Sequence, residues 1–224
     1  MTPPLRALVF DAYGTLFDPL SVQAHADELF PGQGAALSQL WRAKQLEYSW
    51  LRTLMGHYEN FWKITEDALA HSCQALQLSC DDHQRQQLMQ VYLSLPAYPE
   101  VKPALQQLTH LQPSILSNGT PDMLAAVVAA NGMARFFQHI FSVDSLQLYK
   151  PRPEVYQHAV DRLGLPKETI GFVSSNYWDI AGATSFGFRT YWLNRRNAIP
   201  DELGVTPTAI LPNLSALSAL LIHS

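Results

Sequence analysis

Cysteine is nearly missing from this sequence, and histidine is not arranged to hold a metal. The two cysteines, Cys73 and Cys80, are spaced CQALQLSC, so neither closes a CxxC pair or a Cys/His zinc pattern, and both read as reduced helix residues. The eight histidines form no HxxxH or HExxH arrangement, which leaves them surface or core roles. An excess of positive charge is also lacking. Lys and Arg number 15 against 19 Asp and Glu, a formal net charge of -4, so there is no large positive field for nucleic acid or an anionic membrane, and the expected partners are small molecules. No segment approaches the roughly 18 apolar residues of a membrane span. The opening MTPPLRALVF has no long apolar stretch with a small-residue cleavage site, so the cytoplasm is the expected location. Internal repeats and low-complexity tracts are absent too. What remains, at 47% hydrophobic and 15% charged over 224 residues, is a globular composition with length for one domain plus an insertion.

Two textures alternate along the chain. The first is short β-rich runs ending in Gly, Ser, Asn or Asp: LRALVF (5–10), PSILS (113–117), IFSV (140–143), IGFVS (170–174) and RTYWL (189–193). Runs apolar on both faces and separated by helical stretches predict parallel strands in βαβ units, hence a doubly wound α/β layer. Two of the intervening helices carry their own punctuation. TPDMLAAVVAANGM stops at Asn131-Gly132, and PEVYQHAVDRLGL has Pro153 near its start and Gly164 near its end. The second texture fills 18–96, where strand-like runs and Gly/Pro punctuation nearly vanish. AALSQLWRAKQLEYSWLRTLM places apolar residues at 37, 40, 41, 48 and 51, near helical spacing, and YENFWKITEDALAHSCQAL continues in the same style. The predicted organisation is a core of 1–17 and 97–224, with a helical subdomain inserted at 18–96 and closed by the prolines of SLPAYPEV. Leaving straight after Asp11, that insertion is placed to act as a lid.

In an open parallel sheet, ligands bind beyond the carboxyl ends of the strands. The polar residues at those ends form a coherent set: Asp11 after the first run, Ser117-Asn118-Gly119 after the second, Lys150 after the third, and Ser174 to Asp179 after the fourth. Asp11 precedes Gly14-Thr15, whose hydroxyl can bond the carboxylate or a nearby backbone group. A nucleophilic aspartate has to be ionised, a state that a neighbouring Lys150 favours. An aspartate at a strand end is by itself more often a cap or turn former; its companions reverse that.

In VFDAYGTLFD, WRAKQLEYSWLR, ILSNG, YKPRPEVY and FVSSNYWD, taken in that order, the sequence resembles the haloacid dehalogenase superfamily and, within it, the L-2-haloacid dehalogenases. The resemblance spans essentially the whole chain. The opening and the lysine motif point only to the superfamily; the tryptophan-rich helix together with SSNxWD is far more specific. It implies a Rossmann-like core with an inserted helical cap, and a homodimer as in many members. It also gives Tyr13 a meaning. Phosphatases of the superfamily read DxDGT, with the second aspartate protonating the leaving oxygen. A halide leaves as an anion and needs no proton, so an aromatic ring can line an apolar pocket instead. The early acidic-loop positions that help hold Mg²⁺ in those phosphatases are here Ser and Asn, so neither metal nor cofactor is expected, and Lys150 serves the electrostatic role.

The implied reaction is hydrolytic dehalogenation of short L-2-haloalkanoic acids to D-2-hydroxy acids through an aspartyl ester on Asp11. By the resemblance Asp179 activates water, with Ser174, Asn176 and Lys150 in its network and Tyr156 supporting Lys150 and Asp11. Capping the following helix is a second role open to Asp179, and both can hold. Arg42 and Asn118 would stabilise the halide. Ser117 and the main-chain donors of Ala12 and Tyr13 suit the substrate carboxylate. Leu46, Phe61 and Trp178 with Tyr13 fit an apolar pocket, although core packing explains Phe61 and Trp178 equally well. Asn194-Arg195-Arg196 reads as a solvated loop with dimer or substrate-entry roles open to it, and Tyr177 as a residue that narrows the substrate mouth or alters dimer contacts. Two rival readings have their own signatures: a Mg²⁺-dependent phosphatase, disfavoured by Tyr13, and a metabolite-binding relative without turnover.

Overall fold

The computed structural model describes residues 3–222 and arranges them around one six-stranded parallel sheet. Its strands are β1 (Ala7–Phe10), β2 (Ser114–Ser117), β3 (His139–Ser142), β4 (Ile170–Ser174), β5 (Arg189–Leu193) and β6 (Ala209–Leu211), in the spatial order β3-β2-β1-β4-β5-β6. β1, β2 and β4 are buried at every position, which is why they read as continuous runs and not as alternations. The edges β3 and β6 are only partly covered. β6 is the strand the sequence does not announce: three half-covered residues offer no periodicity.

The order of the strands fixes where a site can form. From β1 the chain steps outward to β2 and β3, then crosses back to β4 on the other flank of β1 and continues to β5 and β6. The reversal sits at β1, so the loops after β2 and β4 diverge on either side of the loop after β1 and leave a crevice at the carboxyl edge. In register, Phe10 lies beside Ile115 on one side and Val173 on the other, and the N–H of Asp11 donates to the Val173 carbonyl at 2.9 Å.

Five helices belong to the sheet layers: α5 (Val101–Gln107), α6 (Pro121–Ala130), α7 (Pro153–Leu163), α8 (Tyr177–Phe186) and α9 (Leu214–Ile222). The predicted punctuation operates as expected. Thr120 caps α6 by accepting from the N–H of Met123, and Gly164 ends α7 in the left-handed conformation. The other four, α1 (Val22–Leu29), α2 (Gly34–Met55), α3 (Phe61–Ala75) and α4 (Asp82–Val91), lie between β1 and α5 and pack against one another. The chain leaves and returns through a neck of two adjacent strands of backbone, where Asp18 N–H donates to Pro96 O at 2.9 Å and Tyr98 N–H to Leu16 O at 3.1 Å.

α2 departs from its apolar pattern. Leu51, expected on the buried face, is 43% exposed, while Ser38, Gln45 and Ser49 are buried alongside Leu37 and Trp41. The polar members find partners inside the helical layer: Ser38 donates to Gly34 O, Ser49 to Leu46 O, and Gln45 to Thr65 of α3. Satisfied in this way, they take buried positions that an apolar count assigns elsewhere. Leu37, Ile64 and Leu69 are fully buried in the same layer, each contributing about 1.5–3 kcal/mol. Cys73 lies in α3 as expected, whereas Cys80 falls just before the α4 cap Asp81 and outside any helix. Both are free thiols.

Candidate active site

Asp11 stands one residue past β1 with its two carboxylate oxygens in different surroundings. Oδ2 accepts from Thr15 Oγ1 at 2.9 Å, Asn176 Nδ2 at 2.8 Å and Ser174 Oγ at 3.4 Å. Among the described residues Oδ1 accepts only from Lys150 Nζ, at 3.2 Å. These donors come from the loop after β1, the turn after β4 and the loop after β3, the predicted convergence of strand ends. Ser174 and Thr15 are held in turn by main-chain N–H groups, of Asn176 at 3.1 Å and Ser175 at 2.9 Å.

Lys150 joins a second carboxylate. Its ammonium donates to Asp179 Oδ2 at 2.9 Å, and Tyr156 Oη donates to Asp179 Oδ1 at 2.8 Å. The side chains of Lys150 and Asp179 are wholly buried. Burial works against the lysine charge, but the two carboxylates outweigh it and raise its pKa. Burial pushes Asp179 up to about 6, Lys150 opposing and Asp11 adding to the shift. Tyr156 is held protonated by burial and by Asp179. A divalent cation does not fit this arrangement. The lysine ammonium occupies the place between the carboxylates, and Asp11 Oδ2 is already covered by three donors.

Asp179 is the third residue of α8 and not its cap, a correction to one of the two roles open to it. The N-cap is Asn176, which makes no capping bond because its amide is turned to Asp11 and to the Tyr13 carbonyl. Tyr13 lies flat in the core, stacked on Phe61 with ring centroids 6.0 Å apart and tilted against Tyr92 at 6.2 Å. Its phenol is buried with no hydrogen-bond partner among the described residues. Gly119 makes room for this ring: a Cβ there would stand 2.9 Å from its edge. Among the described residues the main-chain N–H groups of Ala12 and Tyr13 donate to no backbone carbonyl, so they remain available. Ser117 Oγ accepts from Gly119 N–H at 3.2 Å. Asn118 Oδ1 accepts from Lys150 N–H at 3.1 Å, which leaves the Asn118 amide N–H₂ to donate.

The helical side contributes Arg42. It reaches out of α2 to the Tyr13 carbonyl at 3.3 Å and is braced by Gln45 Oε1 at 2.6 Å. Arg42 and Asn176 line a cleft of about 480 Å³ between α2 and the loops after β1, β4 and β5. Leu46 follows one turn later, half-buried and outside the packed core. So are Trp50, another turn on, and Trp178, against which it packs edge-on at 5.5 Å. Phe61, by contrast, is fully part of the core.

Two residues behave differently from their sequence reading. Arg195 is no solvated loop residue. It donates to Ser175 Oγ at 2.6 Å, Thr15 O at 2.9 Å and Glu100 Oε1 at 2.8 Å, and lies 4.0 Å over the Tyr98 ring. It thereby clamps the loop after β1 to the neck of the helical insertion. Tyr177 does not narrow the mouth; it is buried edge-on to Trp192 and donates to Val205 O at 3.0 Å. Gln45 and Trp50 were not singled out by sequence, because a buried amide and one aromatic among several leave no pattern.

A family model described as haloacid dehalogenase-like hydrolase matches residues 5–187. A (S)-2-haloacid dehalogenase of Pseudomonas putida is 46% identical over 222 residues, covering 98% of each chain. Among solved structures, an L-2-haloacid dehalogenase superimposes with a TM-score of 0.96 at 46% identity, over 98% of this chain and 100% of that one. Another, from Xanthobacter autotrophicus with chloropropionic acid covalently bound, gives 0.92 at 37% identity over 97% and 98%.

Proposed function

The chain belongs to the haloacid dehalogenase-like hydrolase family, and on that premise we propose that it is a (S)-2-haloacid dehalogenase, hydrolysing short L-2-haloalkanoic acids to D-2-hydroxy acids and halide. The observation that carries the reading is the inequality of the two Asp11 oxygens across Lys150 from a second buried carboxylate.

Oδ1, with one donor, keeps lone pairs for attack on C2 from behind the carbon–halogen bond. The C–O bond forms as the halide leaves with its electron pair, inverting the centre. Oδ2 then becomes the ester carbonyl oxygen, already facing Thr15, Asn176 and Ser174. Those donors stabilise the negative charge that gathers on it when water attacks the ester carbon. Asp179, ionised near neutral pH, takes the proton of that water. The tetrahedral intermediate collapses by releasing the alkoxide oxygen, which takes the proton held by Asp179 to give the hydroxy acid, and the Asp11 carboxyl left behind loses its proton to solvent to regenerate the carboxylate. Water enters at the carbonyl and not at C2, so the inversion is retained in the product.

The helices of 18–96 serve as the cap, with Arg42 and Asn118 taking the halide and Ala12, Tyr13 and Ser117 the substrate carboxylate. Leu46, Phe61, Tyr13 and Trp178 enclose the alkyl group. The exposed Leu54 and Met55 at the end of α2 supply an apolar face for a homodimer, and two free thiols suit the cytoplasm. The test is halide release from L- and D-2-chloropropionate with EDTA present. Release from the L-isomer alone, with an Asp11 adduct in the mass spectrum of the quenched enzyme, is the expected result; phosphate release that requires Mg²⁺, with no halide, would overturn it.

A further inference from the structure

Arg42 is held by a directional chain of buried polar groups within the helical layer. Gln45 is 0% exposed, and its amide carbonyl accepts from Arg42 Nη1 at 2.6 Å while its amide nitrogen donates to Thr65 Oγ1 at 2.7 Å. Thr65 Oγ1 spends its own proton on the Phe61 carbonyl at 2.6 Å, so toward Gln45 it can only accept. That fixes the Gln45 amide with its nitrogen toward α3 and its oxygen toward Arg42; the opposite orientation would set two acceptors against each other and turn an N–H₂ to a cation. Tyr92 packs against Trp41 and Tyr13 in the same layer. The amide oxygen and the amide nitrogen are thus both bonded, and a buried amide placed this way is costly to disturb.

From this geometry we infer that Gln45 is a positioning residue for halide departure: by fixing the guanidinium plane of Arg42, it sets how well the enzyme expels poorer leaving groups. The inference rests on the dehalogenase reading above. Arg42 has five N–H donors. One goes to Gln45 and one to Tyr13 O, and these two bonds define the plane in which the rest face a leaving anion. Without the Gln45 oxygen the side chain keeps its charge but loses one of two points of attachment, and a misplacement of about 1 Å at a reacting centre costs roughly 100-fold in rate. Chloride departure depends more on such stabilisation than bromide departure, because the carbon–chlorine bond is harder to break.

The experiment compares wild type with Gln45→Met, which keeps the length and removes the acceptor, and with Thr65→Val, which leaves Gln45 in place but removes the group that orients it. The expected result is a fall in kcat of about 100-fold for L-2-chloropropionate in Gln45→Met, a clearly smaller fall for L-2-bromopropionate, and KM nearly unchanged for both. Thr65→Val is expected to move the bromide-to-chloride rate ratio the same way by a lesser amount. Chlorine NMR line broadening of the resting enzyme reads halide binding without turnover and should weaken in both variants. An unchanged rate ratio together with unchanged halide binding in either folded variant overturns the inference. A wild-type enzyme that releases no halide would instead overturn the dehalogenase reading, with the NMR measurement still reporting on Gln45.

Discussion

At the sheet, Asp11, Lys150 and Asp179 are buried charges that face one another, each within 3.2 Å of its partner. On the helical side, Arg42 is half-buried, meets no carboxylate among the described residues, and is braced by a neutral amide. The difference follows from what each side has to do. On the proposed mechanism a nucleophile and a base must keep their charges out of water and in fixed relation, so the sheet side compensates charge with charge. On the same proposal a group that receives an arriving anion must leave its own charge uncompensated, and the helical side orients Arg42 with dipoles. A carboxylate in place of Gln45 would hold the guanidinium as firmly but cancel the charge the halide needs.

The largest effect that would break this comparison is on the sheet side: Asp11→Asn should abolish halide release, by roughly 10,000-fold or more, because no other group can form the ester. Residual turnover above that level would mean the chemistry is not centred there. Next, Lys150→Met should cost about 3–5 kcal/mol in urea unfolding, since it leaves two buried carboxylates without their shared cation, whereas Arg42→Met should cost about 1 kcal/mol or less while still slowing turnover. Equal losses of stability would erase the distinction between the two sides. A graded effect follows from Asp179, whose pKa burial pushes up to about 6. Its raised folded value means the native state gives up stability as pH rises from the ordinary carboxylate range through about 6, whereas the base is ionised only above that range. The kcat profile should therefore fall about tenfold per unit below 6, and an acid limb confined to the ordinary carboxylate range would remove Asp179 from the role of base. The smallest change is Arg195→Lys, which loses the fork that joins Thr15, Ser175 and Glu100; about 1–2 kcal/mol of stability is expected to go, and a calorimetric scan would register it.

The two sides also differ in how far they can be read from sequence. Asp11, Ser117, Asn118, Lys150 and Ser174 stand where apolar runs stop, and an open parallel sheet gathers such positions at one edge whatever the intervening sequence. The helical side has no such rule. Gln45 and Thr65 are polar letters within helices, and only the packing of α2 on α3 turns them inward to meet each other. Arg195 was misread for a related reason: its partners Thr15 and Glu100 are distant in the chain, and nothing in NRR says that a guanidinium will lie over Tyr98. β6 escaped because three partly exposed residues carry no period.

Gly119 imposes an order on how this protein can change. Its backbone is not in the left-handed region, so a side chain at 119 is opposed by space and not by conformation; the obstacle is the Tyr13 ring, which a Cβ would approach at 2.9 Å. Along any mutational path, an alanine arriving at 119 while Tyr13 is present meets that ring, whereas with a small residue at position 13 the nearest remaining neighbour is the flexible Leu124 side chain at 3.3 Å. The reverse also holds, for a tyrosine in this position at 13 fits without a shift only beside a glycine at 119. Two residues 106 positions apart are therefore coupled sterically, and the coupling is carried by the one that has no side chain.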